Sequence, residues 1–519
     1  MKKSLFFFLS GCIVAFGQPA WVPLLGVLSS TLGYALFWKE CVSFLSPKGK
    51  FFAGWAWFTC IQLIQLSWMS SMEYQGVYIL GVYALLALFM GLQFGLLTTC
   101  IKFLPPFILA SLWTLMEWMR LHIFCGFSWN PAGLSLTTFS YPLQFASLFG
   151  LFGLSFWVIA TNAYFLEKKW KIGLLLAIIP YLWGYGQLLY YDKKVKEAPT
   201  LQVALVQTAL LPSQKNFFPG RRKDFIHPEE QWRQILTLLA KNTRDVDLIV
   251  MPESAVPFTD SAPLFLHRRV CHLLKTILSK PLLEEPKDHL VSHQFWTQAI
   301  GDMLKADVIV GLDAVDRDVS YASAFFYSHQ DKRLERYDKT VLLPLVEYLP
   351  WTCLRALSAQ YGINHFFTPG LGQKVFSSKV KLATLICYEE TFGEIVREAK
   401  NQGATLLANV INDNWYPHSR LPQQHLDLIR VHAVASGIPV VRSGNAGITC
   451  VLDSLGRVVS ALEKWDEPGI LIEEVPLFCF PTLYMKWGNG LIVSISLLCI
   501  LGVLIKNAFL MRSTLFIRF

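Results

Sequence analysis

Leu382-Ala383-Thr384-Leu385-Ile386-Cys387-Tyr388-Glu389-Glu390-Thr391-Phe392 is the stretch on which the reading of the fold turns. Residues 381–386 are short, apolar and bounded by charge, which predicts a buried strand. Residues 393–402 carry helical spacing and stop before Gly403. Cys387 is therefore expected at a strand-to-helix junction, where α/β enzymes lift a nucleophile toward a cleft. A thiol at a helix N-terminus meets the positive end of the peptide dipole, which predicts a lowered pKa and a thiolate. Taken alone, Cys387 reads more readily as a small buried apolar residue. Its company changes that reading.

Strand-like runs lie on either side, at 201–207, 247–251, 307–311, 322–327, 404–411, 439–442, 449–452 and 469–473. Helical spacing intervenes at 228–242, 393–402 and 422–436. Apolar strands separated by helices predict an α/β layered domain over residues 200–478, large enough to bury an extensive core. Residues 258–306 are long and mixed in composition and read as a helical insertion.

Beyond this domain the composition changes. The 519-residue chain is 53% hydrophobic and only 16% charged, where soluble domains carry about 25% charge. The apolar excess lies in residues 1–192 and 484–519, which are expected to be an N-terminal transmembrane bundle and a C-terminal span with its tail. Near-spanning segments are 5–16, 21–38, 51–68, 77–99, 106–119, 143–166, 172–190 and 487–505. Crossing takes about 20 residues, so 5–16 and 106–119 are short. Met1-Lys2-Lys3 before an apolar run also resembles a signal peptide, and Leu9-Ser10-Gly11-Cys12 a lipid-attachment box. Apolar sequence resumes at Trp21, so neither processing event is expected.

Net charge is +9, but its distribution points to a membrane rather than to nucleic acid. With the N-terminus inside, Lys2, Lys3, Lys39, Lys48, Lys50, Lys102, Lys168, Lys169, Lys171, Lys506, Arg512 and Arg518 fall inside and only Arg120 outside. That asymmetry places the layered domain beyond the cytoplasmic membrane and both termini in the cytoplasm. No phosphate-binding loop, paired CxxC zinc pattern or basic–aromatic surface is present, so no metal or nucleic acid is expected. Cys271, Cys353, Cys387, Cys450 and Cys479 lie in the outer part, and an odd count implies at least one free thiol.

Three stretches look chemical. Met251-Pro252-Glu253-Ser254 ends a strand run, Arg336-Tyr337-Asp338-Lys339-Thr340 precedes an apolar segment, and Cys387 is the third. Acyl transfer through sulfur needs these types: a carboxylate to accept the thiol proton, a cation for the oxyanion, and the sulfur to carry the acyl group. Pro-Glu-Ser, Tyr-Asp-Lys followed by Glu347-Tyr348-Leu349-Pro350, and Cys-Tyr-Glu together resemble the nitrilase superfamily. With seven apolar segments before and one after, the chain is similar to the membrane-embedded acyltransferases of that superfamily.

The resemblance implies an αββα sandwich inserted in an all-α bundle of about eight spans. It implies Glu253 as general base, Lys339 as oxyanion stabiliser and Cys387 as nucleophile. Glu347 would support Lys339, Tyr388 and Glu389 would flank the thiol, and Asn412-Asp413-Asn414-Trp415 would form a second rim of the pocket. The implied partners are a phospholipid acyl donor, a diacylglyceryl lipoprotein acceptor and the bacterial inner membrane, with no cofactor. Departures from the family pattern are Leu345-Val346 in place of Phe-Gly, Tyr321-Ala322-Ser323 in place of Tyr-Asn-Ser, and no tryptophan just after Gln207. Two other readings compete: a membrane-tethered amidase with water as acceptor, and a transporter, which predicts inverted repeats that are not seen.

Two further features carry expectations. Glu117 and Arg120 lie three apart in an apolar segment, as either a functional pair or a pair snorkelling at the interface. The apolar arm of residues 341–351 and Trp415-Tyr416-Pro417 are expected to form a lid over Cys387.

Overall fold

The computed structural model describes residues 2–42, 46–123, 126–218, 220–241, 245–281, 284–349 and 366–516. The chain divides into two compact units, one of Met1–Met72, Val77–Tyr190 and Pro481–Phe519, the other of Glu73–Gly76 and Tyr191–Phe480.

The second unit is built from two six-stranded sheets and a small two-stranded one. In chain order the strands are β1 (Thr200–Gln207), β2 (Leu248–Val250), β3 (Phe265–Leu266), β4 (Leu290–Val291), β5 (Asp307–Asp316), β6 (Val319–Ser328) and β7 (Arg333–Asp338). The later strands are β8 (Val375–Ser377), β9 (Lys381–Ile386), β10 (Leu406–Ile411), β11 (Val440–Gly444), β12 (Cys450–Leu452), β13 (Val458–Ala461) and β14 (Gly469–Pro476). The first sheet has the order β14-β1-β2-β5-β6-β7 and the second β13-β12-β11-β10-β9-β8. Each has three parallel strands at its centre, β1, β2 and β5 in one and β9, β10 and β11 in the other.

Side chains alternate across a strand, and the two cores follow from that. Leu201, Val203 and Leu205 of β1 join Leu382 and Ile386 of β9 and Leu406, Ala408 and Val410 of β10 in one buried cluster between the sheets. The intervening residues Ala204 and Val206 pack instead against helices Pro228–Ala240, His267–Leu278 and His293–Leu304. Truncating a residue such as Leu406 to alanine costs about 2–5 kcal/mol.

Residues 258–306 contain two helices, as expected, and they pack within the layered domain. Phe265, Val270, Leu274, Val291, Trp296 and Ile300 are core residues of the helical layer on the first sheet, with Trp232 and Trp296 stacked at 5.3 Å. The mixed composition reflects two amphipathic helices, apolar only on the face that covers the sheet.

Among the described residues, four helices are long and apolar enough to cross a membrane: Tyr78–Thr99, Ala146–Leu166, Trp170–Lys196 and Gly490–Asn507. Other apolar segments form helices such as Lys2–Gly17, Pro47–Gln65 and Pro106–Met119. Pro47–Gln65 packs closely on Tyr78–Thr99 through small residues, as membrane helices do. A Cβ on Gly91 would lie 2.0 Å from Thr59 Oγ1. Glu117 and Arg120 are both buried, 3.4 Å apart, and Glu117 accepts from Trp113 Nε1 at 2.6 Å and Ala132 N at 2.8 Å. They do not snorkel.

Candidate active site

Strand direction brings the chemical residues to one edge. β2 and β5 are parallel, β6 reverses and β7 reverses again, so β7 runs with β2 and their C-terminal ends coincide. Glu253 follows β2 and Lys339 follows β7, while Cys387 follows β9 in the facing sheet. Ligand chemistry gathers at such carboxyl ends.

Each residue is held by a strained or crowded backbone. Pro252 interrupts the strand, yet Gly311 N donates to Pro252 O at 3.1 Å and Ala255 N to Gly311 O at 2.8 Å, so the loop stays pinned to β5. Only glycine fits at 311, because a Cβ there would lie 2.6 Å from Glu253 Cα. Ser254, Leu345 and Cys387 all have positive φ, of 42°, 67° and 50°. Such conformations cost of order 1–3 kcal/mol each and persist where the surroundings over-determine them. The sharp junction expected at Cys387 is therefore present. The strand runs into a 3-10 turn, Cys387–Thr391, and the helix Gly393–Asn401 begins only after that turn.

Lys339 is buried between two carboxylates. Its Nζ lies 3.2 Å from Glu253 Oε1 and 2.6 Å from Glu347 Oε1. Glu347 Oε2 accepts from Leu343 N at 2.7 Å, which fixes the carboxylate that fixes the lysine. Burial works against the Lys339 charge most strongly, but Glu253 and Glu347 outweigh it and hold the ammonium well above the usual lysine range. Burial raises the Glu253 carboxyl, against the pull of Lys339 and a hydrogen bond from the Cys387 thiol.

The thiol corrects an expectation. Burial first, and then the charge of Glu253, push Cys387 well above the ordinary thiol range, with Lys339 pulling the other way. Asp413 and Glu347 add to the upward push. Several carboxylates and a low-dielectric pocket outweigh one lysine, and one 3-10 turn supplies little dipole. These influences favour the neutral thiol, which hydrogen-bonds to Glu253 and keeps partial contact with the surface.

Glu389 is fully buried and points away from substrate space. Its Oε1 accepts from Tyr337 Oη at 2.8 Å, Thr340 N at 2.6 Å and Thr340 Oγ1 at 2.8 Å, and its Oε2 accepts from Ile386 N at 2.8 Å. It ties the loop that carries Lys339 to the strand end that carries Cys387. Tyr388 is buried edge-on to Phe392 at 5.0 Å. Trp415 is half-buried, 6.3 Å from Phe218. Of the expected lid, residues 341–349 include a hydrogen-bonded turn (Leu345 N to Tyr348 O, 2.8 Å), and residues 350 and 351 lie outside the described residues.

A second charged cluster, in which only Asp413 is marked by a motif, includes a carboxylate that acts on the thiol. Arg442 grips Glu390 with Nε at 3.0 Å and Nη2 at 2.8 Å. His425 bridges Glu390 at 3.1 Å and Asp413 at 2.9 Å, and Asn409 donates to Glu390. One signal is present in the chain. Asn409 and Arg442 sit inside runs of otherwise apolar strand residues, and a buried polar group there demands a partner. Lys215 and Asp313, near Glu253, likewise carry no motif.

Comparisons with known proteins find similar proteins over most of the chain. Residues 202–478 match the family model for carbon-nitrogen hydrolases, and residues 10–164 the model for the apolipoprotein N-acyltransferase N-terminal domain. The apolipoprotein N-acyltransferase of Chlamydia pneumoniae is 32% identical over 94% of each chain. That of Chlamydia caviae is 30% identical over 96% of this chain and 97% of the relative, and that of Haemophilus ducreyi 28% over 95% of each. Among solved structures, an amidase from Nesterenkonia sp. aligns with 18% identity and a TM-score of 0.37, over 55% of this chain and 92% of the amidase. Apolar helices of membrane-crossing length, a carbon-nitrogen hydrolase domain and relatives matched from end to end lead to one assignment: the chain belongs to the apolipoprotein N-acyltransferase family.

Proposed function

We propose that the protein moves a fatty acyl chain from a phospholipid, through a thioester on Cys387, to the N-terminal amine of diacylglyceryl-cysteine lipoproteins. The observation that carries this reading is the chain of contacts from the thiol to Glu253, Lys339 and Glu347. Glu253 takes the thiol proton as sulfur attacks the ester carbonyl, and a tetrahedral oxyanion forms beside the Lys339 ammonium. When the ester C–O bond breaks, the Glu253 proton passes to the leaving oxygen and lysophospholipid departs. The acceptor amine then attacks the thioester, Glu253 accepts its proton, and the sulfur leaves and regains that proton as a thiol.

Glu347 keeps Lys339 in place, Glu389 holds the two catalytic loops in register, and Tyr388 and Trp415 line the approach to the sulfur. The layered domain, residues 200–478, is an αββα sandwich inserted between an N-terminal bundle, residues 1–192, and a C-terminal span, residues 484–519. With about eight spans the domain lies on the outer side of the bacterial inner membrane, where both lipid substrates are found. Supplying phospholipid and a lipopeptide with a free diacylglyceryl-cysteine amine tests the reading. Acyl mass appearing on the lipopeptide is the expected result. Release of free fatty acid at the same rate with or without the lipopeptide would instead make the protein a hydrolase.

A further inference from the structure

Lys215 ends the short turn Pro212–Lys215 that follows β1. Side-chain amides anchor the backbone that leads into this turn. Asn445 Nδ2 and Asn414 Nδ2 donate to Leu210 O at 2.7 and 3.0 Å, and Leu211 N donates to Gln214 Oε1 at 2.8 Å. The side chain turns inward and is only 3% exposed, and its Nζ makes no hydrogen bond or ion pair among the described residues. Its electrostatic neighbours are the Glu253 and Asp313 carboxylates. A buried ammonium without a partner costs several kcal/mol, so its place in the pocket needs a reason.

The charge count around Glu253 supplies one. Glu253, Glu347 and Asp313 influence one another, and Lys339 is bonded to the first two. One cation against three carboxylates leaves the pocket negative before the thiolate or oxyanion adds a further negative charge. A direct ion pair from a second lysine would occupy the Glu253 oxygens and block the base. A neighbouring cation that makes no ion pair with Glu253 stabilises its ionised form while leaving it free to take a proton.

We propose that Lys215 is a positioning residue of the acyl transfer, a second cation that acts on the reaction through Glu253. This rests on the role proposed above for Glu253. Burial, against the pull of Glu253 and Asp313, lowers the Lys215 ammonium to about 7. Below that value Lys215 is charged, and a charged ammonium beside Glu253 favours the ionised carboxylate.

The test is the pH profile of thioester formation from phospholipid, measured on full-length wild type, Lys215→Met and Lys215→Arg. Lys215→Met is expected to move the acid limb upward by about one pH unit, a tenfold slower loading on that limb. Lys215→Arg keeps the charge and is expected to keep the limb. The Tm of Lys215→Met should be unchanged or higher, because the change removes an unpartnered buried ammonium. An unshifted limb in Lys215→Met, or a lowered Tm whose activity loss is the same at every pH, overturns the proposal and makes Lys215 structural. Failure of the wild type to form any thioester would instead overturn the acyl-transfer reading itself.

Discussion

Two clusters of buried charge act on Cys387, and they are built from the same chemistry for opposite ends. In one, Arg442 meets both oxygens of Glu390 and sends Nη1 to Ile448 O at 2.7 Å, and His425 links Glu390 to Asp413. In the other, Lys339 reaches one oxygen each of Glu253 and Glu347, and Glu253 accepts from the thiol. The first cluster is built on the bidentate Arg442–Glu390 pair and the His425 bridge. The second holds the carboxylate proposed above as the base, beside a backbone strained at Ser254 and Cys387.

The contrast breaks if the two clusters respond alike to substitution. The largest effect is expected from Glu253→Gln, which should slow thioester loading by about 10²–10⁴-fold and leave Tm nearly unchanged. In the wild type the same group sets a pH dependence. Burial raises the Glu253 carboxyl, so loading should fall as pH drops through that raised value, and Glu253→Gln should flatten the limb. Arg442→Met should reverse the pattern. Leaving Glu390 buried without its guanidinium should cost about 3–5 kcal/mol in unfolding free energy, read by denaturant melts. Thr340→Val is the smallest change, removing one hydroxyl from Glu389 for about 1 kcal/mol. It sharpens the comparison, because a loading defect larger than its stability loss would show that Glu389 sets the Lys339 geometry.

Much of this is legible in the chain alone, and the gaps have physical causes. Lys381–Ile386, Leu406–Ile411 and Thr200–Gln207 lie in sheet interiors and show as apolar runs. Within the two large sheets the strands without such a signal, β7, β8 and β13, are edges. An edge strand has less to bury and protects itself with charge, so Arg333-Leu334-Glu335-Arg336-Tyr337-Asp338 carries no apolar signature. That gap matters, because β7 delivers Lys339. Motif resemblance finds Glu253, Lys339, Glu347 and Cys387, which the fold brings to one edge. Resemblance says nothing of Lys215, Arg442 or His425, whose meaning lies in partners scattered through the sequence and brought together only by packing.

The thiol is the sharpest case of environment overruling local sequence. A helix-start position predicts a thiolate, yet burial and the neighbouring carboxylates push the Cys387 thiol up. In the proposed acyl transfer Cys387 becomes a nucleophile only as Glu253 takes its proton, and the proposal stands on that step. The most direct measurement is the intact mass of the purified full-length protein after exposure to phospholipid alone. One added fatty acyl mass, released by neutral hydroxylamine and absent from Cys387→Ala, is the predicted result. An unmodified wild type, or an adduct that persists in Cys387→Ala, would contradict it.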